Sequence, residues 1–250
     1  MPTRRISAAK SATPALTGSS APCSPEAREE LERRGFDDPF DPAFIYRSVF
    51  GSGIRGHAQT WPDIDFDTLR EINSDTVGWI HMDKTPLDYS VVKQHLDRGY
   101  YRTHNFSGEE SIHGQIVLDF WHGGTLDGKT IVLHGHHMKD WSMFHVVTEM
   151  DGQAYFDAHP TVQLAHPGGT FTARWFAGAF YFREDPWPET VNFSDGAGYR
   201  AWLDRIAQDN RLSCPITPVT DDRVLVCCTC SMASWENAPG GYALFAVIEK

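Results

Sequence analysis

Residues 223–230 read RVLVCCTC, and the fold turns on how that run is taken. Val224 to Cys228 is apolar at every step with no alternation, the mark of a strand covered on both faces. Cysteine packs in such a place as a small hydrophobe, so Cys227 and Cys228 are expected to fill space. Cys230 stands differently, at the mouth of the strand, ahead of Ser231 and a loop containing Gly and Pro. An accessible thiol at a strand end, with a base nearby, is a candidate nucleophile.

Working outward, short apolar runs broken by turn residues recur on both sides. They predict strands at Val77–Met82, Leu87–Val92, Gln115–Asp119, Thr130–Gly135, Thr161–Ala165, Phe171–Phe182, Arg223–Thr229 and Tyr242–Ile248. Strands at this spacing imply a mainly β fold, a mostly antiparallel barrel or sandwich. Two helical patterns interrupt them, Met143–Met150 and Gly198–Asn210. The second carries Tyr199, Trp202, Leu203 and Ile206 as one apolar stripe. Upstream, residues 1–24 are rich in Ser, Ala and Pro and read as a disordered arm. Residues 25–76 read as a helical and wrapping segment. It has a short charged helix at Pro25–Arg34 and a second over DFDTLREINSD, anchored by Phe66 and Leu69. Residues 77–250 form the β domain.

The chain has 250 residues and a formal charge of −11. An acidic body argues against a nucleic-acid partner, whose backbone repels it. Five cysteines, with Cys23 and Cys214 far from the trio, make no disulfide framework. No run of about 18 apolar residues occurs, so no transmembrane helix is expected.

The base for Cys230 is sought in TIVLHGHHMKDWSMF, where the strand Ile131–Leu133 runs out into His134, Gly135, His136 and His137. Two readings compete. A metal could take the imidazoles two apart, but the pattern H-x-H-x-D-H needs an aspartate where Met138 stands. The other reading is a Cys–His pair, distant in sequence and joined by the fold.

Four stretches carry a family resemblance, in order and at comparable spacing: INSDTVGWIHMDKTPLDYSVVKQ, YYRTHNFSGEESIHGQIVLDF, TIVLHGHHMKDWSMFHVV and VLVCCTCS. Together they make the chain resemble the class B sortases, cysteine transpeptidases of the bacterial cell wall, from about Phe66 to Val247. The resemblance implies an eight-stranded sortase-type β-barrel with N-terminal helices and a helix before the nucleophile strand. It places the nucleophile at Cys230, the general acid/base at His136 and a substrate-shaping residue at Thr229. His137 becomes a solvent-facing neighbour. It implies no cofactor and no metal. The expected partners are surface proteins bearing a C-terminal sorting signal and an amine acceptor from a peptidoglycan precursor or pilin. The expected place is the outer, extracytoplasmic face of a bacterial cell, although the family's N-terminal membrane helix is not found in this chain.

One family feature is missing. Sortases carry an arginine at the start of the last strand, and no arginine follows Arg223 here. Pro239, Gly240 or Gly241 occupies its place, and Arg223 lies at the wrong end of its strand. Arg174 and Arg183 remain as candidates. Without any such group, the same residues imply a catalytically impaired module that binds sorting-signal-like peptides.

Overall fold

Strand β7 (Val224–Cys230) lies between β4 (Thr130–His134), which it meets in parallel, and β8 (Gly241–Ile248), which it meets antiparallel. These strands belong to a computed structural model that describes residues 64–93, 99–122, 124–190, 192–230 and 240–249. Strand β8 pairs on with β6 (Gly169–Tyr181), β6 with β5 (Thr161–His166), and β5 with β1 (Thr76–His81). The circle closes through β2 (Asp88–Lys93) and β3 (Ile116–Leu118), giving an eight-stranded barrel in the order β1-β2-β3-β4-β7-β8-β6-β5. All eight strands expected from the sequence are present, with ends shifted by a few residues. Two of the pairings, β2 with β3 and β4 with β7, are parallel, and the remainder are antiparallel.

The unbroken apolar run in β7 has a direct cause. Side chains on a strand alternate between its faces, and both faces of this barrel wall are covered. Leu225 and Cys227 point inward, joining Ile131, Leu133, Tyr242, Leu244 and Trp175 in the barrel interior. Val224, Val226 and Cys228 point outward, against Val132, Phe245, Trp187 and Trp202. That outer layer is supplied by helix α5 (Gly196–Asp209) and a 3₁₀ turn at Trp187–Glu189. The predicted stripe of α5, Tyr199, Trp202, Leu203 and Ile206, is its buried face. Its N-terminus is capped by Asp195, which accepts a 2.8 Å hydrogen bond from the Gly198 N–H.

A smaller cluster on another flank joins Leu69 of helix α1 (Phe66–Ile72) and Tyr101 of helix α2 (Tyr100–Thr103) to Trp79, Val92 and Val117. Two short helices follow β4: α3 (His145–Glu149) and α4 (Gln153–Ala158). The sequence reading began the first of these at Met143. It starts two residues later because Trp141 and Met143 both hold left-handed backbone angles, φ 70° and 57°. The expected arm at 1–24, the helix Pro25–Arg34 and the wrapping segment to Pro62 lie outside the described residues.

Candidate active site

The register of two parallel strands assembles the site. His134 on β4 pairs directly with Cys228 on β7, and both point outward. Cys228 and Cys230 share that outer face, two residues apart. Cys228 is buried, whereas Cys230 is exposed. A cavity of about 480 Å³ opens over this patch, and Cys230, His136, Thr229, Arg183, His134 and Cys228 all line it. The fold thus brings the predicted nucleophile and the predicted base to one wall, with Thr229 bordering the same cavity.

Thr229 is turned to the other side of the strand and buried. Its hydroxyl donates to the Gly135 carbonyl at 2.9 Å, and the Gly135 N–H donates to the Cys228 carbonyl at 3.2 Å. These two bonds fasten the turn between His134 and His136 to the strand carrying Cys230. Gly135 has no room for a side chain. A Cβ there would lie 2.6 Å from Ile116 Cδ1 and 2.7 Å from Phe144 Cγ, both wholly buried. Gly135→Ala is therefore expected to cost about 1–3 kcal/mol through overpacking, measured as a lower midpoint in thermal or denaturant unfolding.

His136 is half-buried, and its Nε2 lies 2.8 Å from the carbonyl oxygen of Arg102 at the end of α2. A carbonyl only accepts, so the ring donates from Nε2. In the neutral form Nδ1 then keeps the lone pair. The main chain returns the favour, Phe144 N–H donating to the His136 carbonyl at 2.9 Å.

His137 is not the solvent-facing neighbour expected. Its ring packs 4.4 Å from that of His145, and its Nδ1 is buried without a partner. Burial, with the nearby His145, holds its pKa below the ordinary value. The left-handed angles at Trp141 and Met143 turn the chain back so that His137 pairs with Met143, and this tucks the ring inward. His134 points to Asp119, with its Nε2 3.1 Å from Oδ2. Burial works to raise the Asp119 carboxyl, but the bond with His134 and the Trp121 N–H outweigh it, and its pKa falls. The imidazoles of HGHH thus face three different ways, and among the described residues no cluster of metal-ligand atoms joins His134 to His136.

The loop after His136 is anchored by a second ion pair. His113 Nε2 lies 2.7 Å from Asp140 Oδ2, and Asp140 also accepts from the Ser142 hydroxyl and N–H. The bond to Asp140 raises the His113 pKa. For Asp140, burial opposes ionisation, yet the bonds from His113 and Ser142 bring its pKa down to about 2. A raised histidine stabilises fully below its unfolded pKa of about 6.5 and loses its contribution as pH rises through the folded value. A lowered aspartate contributes above about 3.9 and loses its share as pH falls through its folded value. The pair is thus at full strength between about pH 4 and 6.5. His113→Ala should lower stability by about 1 kcal/mol or less in that window, because its partners are 40% and 39% exposed. The difference from the parent should shrink on the alkaline side, as read from melting temperatures across pH.

The three candidate arginines differ in where their side chains reach. Arg223 donates to the carbonyls of Gly128 and Leu126, at the opposite end of β7 from Cys230. Arg174 pairs with Glu249, where β6 and β8 meet at that same remote end. Arg183 is different: its Nη2 lies 3.6 Å from Cys230 Sγ. It reaches there by crossing β8. Gly241 sits between Tyr181 on β6 and Cys230 on β7, and Gly240 lies just ahead of it. A Cβ on Gly240 would fall 2.6 Å from Arg183 Cγ, and one on Gly241 would fall inside contact distance of the Tyr181 ring. The two glycines are the gap through which Tyr181, at the end of β6, and Arg183, just beyond it, reach the cysteines of β7. The signal in the sequence was the Gly-Gly pair itself, legible only once the strand order is known. Pro239 lies outside the described residues.

Among the described residues, no helix is long and apolar enough to cross a membrane. No protein-family model matches the chain. It is 29% identical to Sortase B of Listeria monocytogenes over 167 residues, 65% of each protein's length. It is 26% identical to Sortase B of Staphylococcus aureus over 172 residues, 69% of this chain and 70% of that protein. Among solved structures, a Staphylococcus aureus sortase B–substrate complex superimposes with a TM-score of 0.67 at 22% identity. That likeness covers 91% of this chain and 99% of that one.

Proposed function

Sequence and fold alike support a class B sortase, and on that premise we propose that this chain is a cysteine transpeptidase with Cys230 as nucleophile and His136 as general acid/base. The single observation that carries the reading is the shared cavity wall, where an exposed thiol, an imidazole of assigned tautomer and a guanidinium converge. In the first half-reaction the Cys230 thiolate attacks a peptide carbonyl carbon. A C–S bond forms, the carbonyl oxygen takes the negative charge, and the C–N bond then breaks. His136, as imidazolium, gives its proton to the departing amine. In the second half an amine attacks the thioester and His136 takes its proton. The new amide forms as Cys230 leaves as thiolate.

Arg183 is the group placed to answer the charge that develops on the carbonyl oxygen. A fixed guanidinium donor at a reacting centre stabilises an oxyanion without reorganising during the reaction. Its guanidinium borders the cavity beside Cys230, and no carboxylate among the described residues ion-pairs with it. Thr229 has a supporting part, holding the His136 turn against the nucleophile strand.

The substrate is read as the C-terminal sorting signal of a surface protein, and the acceptor as an amine of a peptidoglycan precursor or a pilin. The Staphylococcus aureus relative, solved as a substrate complex, supports a peptide in this cavity. The workplace proposed is the extracytoplasmic face of the cell. The test is intact-mass detection of a thioacyl adduct on Cys230 after incubation with a library of sorting-signal peptides. An adduct of the expected peptide fragment, lost in Cys230→Ala, supports the transpeptidase. Peptide binding with no adduct at any pH would instead make the chain a binding module.

A further inference from the structure

Two residues beside the proposed catalytic pair, His134 and Cys228, have no part in the proposed chemistry and meet in space. The β4–β7 register sets these two residues directly opposite each other on the same outer face. Glu189, from the 3₁₀ turn that covers this face, completes a triangle. One donor atom from each of His134, Glu189 and Cys228 lies within 4.8 Å of the other two. All three border the cavity, so the triangle is reached from solvent.

We propose that His134, Cys228 and Glu189 form a binding site for a soft divalent cation, Zn²⁺ by the chemistry of its donors. Imidazole, thiolate and carboxylate together are a zinc donor set, with a fourth position left for water. The surroundings are those of a ligand histidine as well. Asp119 Oδ2 engages His134 Nε2 at 3.1 Å, which leaves Nδ1 as the ligating nitrogen. A carboxylate on the far ring nitrogen is the usual outer-shell support of a metal-bound histidine. Glu189 is likewise steadied, its Oε1 accepting from the Tyr181 hydroxyl at 2.9 Å, which leaves its second oxygen for the ion. Tetrahedral zinc with bonds of about 2.0–2.3 Å sets its ligand atoms about 3.2–3.8 Å apart. Closure therefore asks for about an ångström of movement, within reach of side-chain rotation in Glu189. On binding, the Cys228 thiol gives its proton to solvent and the sulfur bonds as thiolate.

Cys230 is not among the ligands, and the site does not depend on the transpeptidase reading. An ion there would nevertheless sit on the cavity wall two residues from the exposed thiol.

The test uses the full chain, stripped with a chelator and titrated with Co²⁺ and then Zn²⁺. One equivalent of Co²⁺ should give a thiolate-to-cobalt charge-transfer band, which Zn²⁺ abolishes by displacement. Cys228→Ser should remove the band, and Cys230→Ala should keep it. Asp119→Asn should weaken binding about 10–100-fold while sparing the ligand set. Should Cys228→Ser fail to fold, Glu189→Gln decides instead: weakened Co²⁺ binding supports the site and unchanged binding overturns it. Absence of a band in the parent, its survival in a folded Cys228→Ser, or its loss in Cys230→Ala would each overturn the proposal.

Discussion

Arg183→Ala should slow acylation of Cys230 about 10²–10³-fold, the usual cost of losing one donor to a developing oxyanion. The guanidinium lies 3.6 Å from the sulfur, so it neighbours the bond that forms during attack. Its side chain is exposed and buries little surface, so the melting temperature should hardly move. A sharper form of the experiment exploits the glycines. Gly240→Arg alone places a side chain where Arg183 already runs, 2.6 Å from its Cγ, and should impair the protein. In the background of Arg183→Ala that obstruction is gone. Arg183→Ala/Gly240→Arg should then recover part of the lost rate, with a guanidinium supplied from just ahead of β8 rather than from just after β6. Single-turnover acylation with a sorting-signal peptide measures all three. An Arg183→Ala rate within a factor of a few of the parent would remove Arg183 from the chemistry and leave the contact with Cys230 without consequence.

His136→Ala should lower the same acylation rate about 10²–10⁴-fold, the range for loss of a positioned acid/base. Peptide affinity should change far less, because the imidazole acts on the proton and not on the peptide's grip. The hydrogen bond to the Arg102 carbonyl gives this expectation a second handle. It fixes which nitrogen carries the proton, so His136→Gln, which can still donate to that carbonyl, should keep the loop in place yet remain slow. If His136→Gln were as active as the parent, positioning and not proton transfer would be the role of this residue. A double variant with Arg183→Ala adds a check on coupling. Groups that act on one transition state are non-additive, so the combined loss should be less than the product of the two.

Much of the architecture was legible in the residues because it rests on local periodicity. The unbroken apolar run from Val224 to Cys228 announced a strand with both faces covered, and the barrel interior and the α5 layer cover them. The stripe of Tyr199, Trp202, Leu203 and Ile206 announced the face that α5 buries. Short elements escaped notice for the converse reason. Helices α2 and α4 span four and six residues, too few turns for a period to show. The start of α3 was misjudged because a left-handed angle at Trp141 or Met143 leaves no compositional trace; neither is the glycine that usually marks such a bend. His137 was misplaced for the same cause.

The site divides along the same line. That Cys230 ends a buried strand and His136 follows another are facts of local sequence, each readable within its own segment. Which arginine lies beside them is not, because Arg183 stands 47 residues from Cys230 and reaches it only across a third strand. The strand order β7-β8-β6 and the register that sets Gly241 between Cys230 and Tyr181 exist only in three dimensions. The meeting of His134, Cys228 and Glu189 is of the same kind. The chain by itself determined which residues alternate, which face is apolar and where thiols and imidazoles leave their strands, since those depend on neighbours a few positions away. The tertiary structure alone decided which side chains share a wall, because pairing register joins distant segments and one residue of slip would turn every side chain to the opposite face.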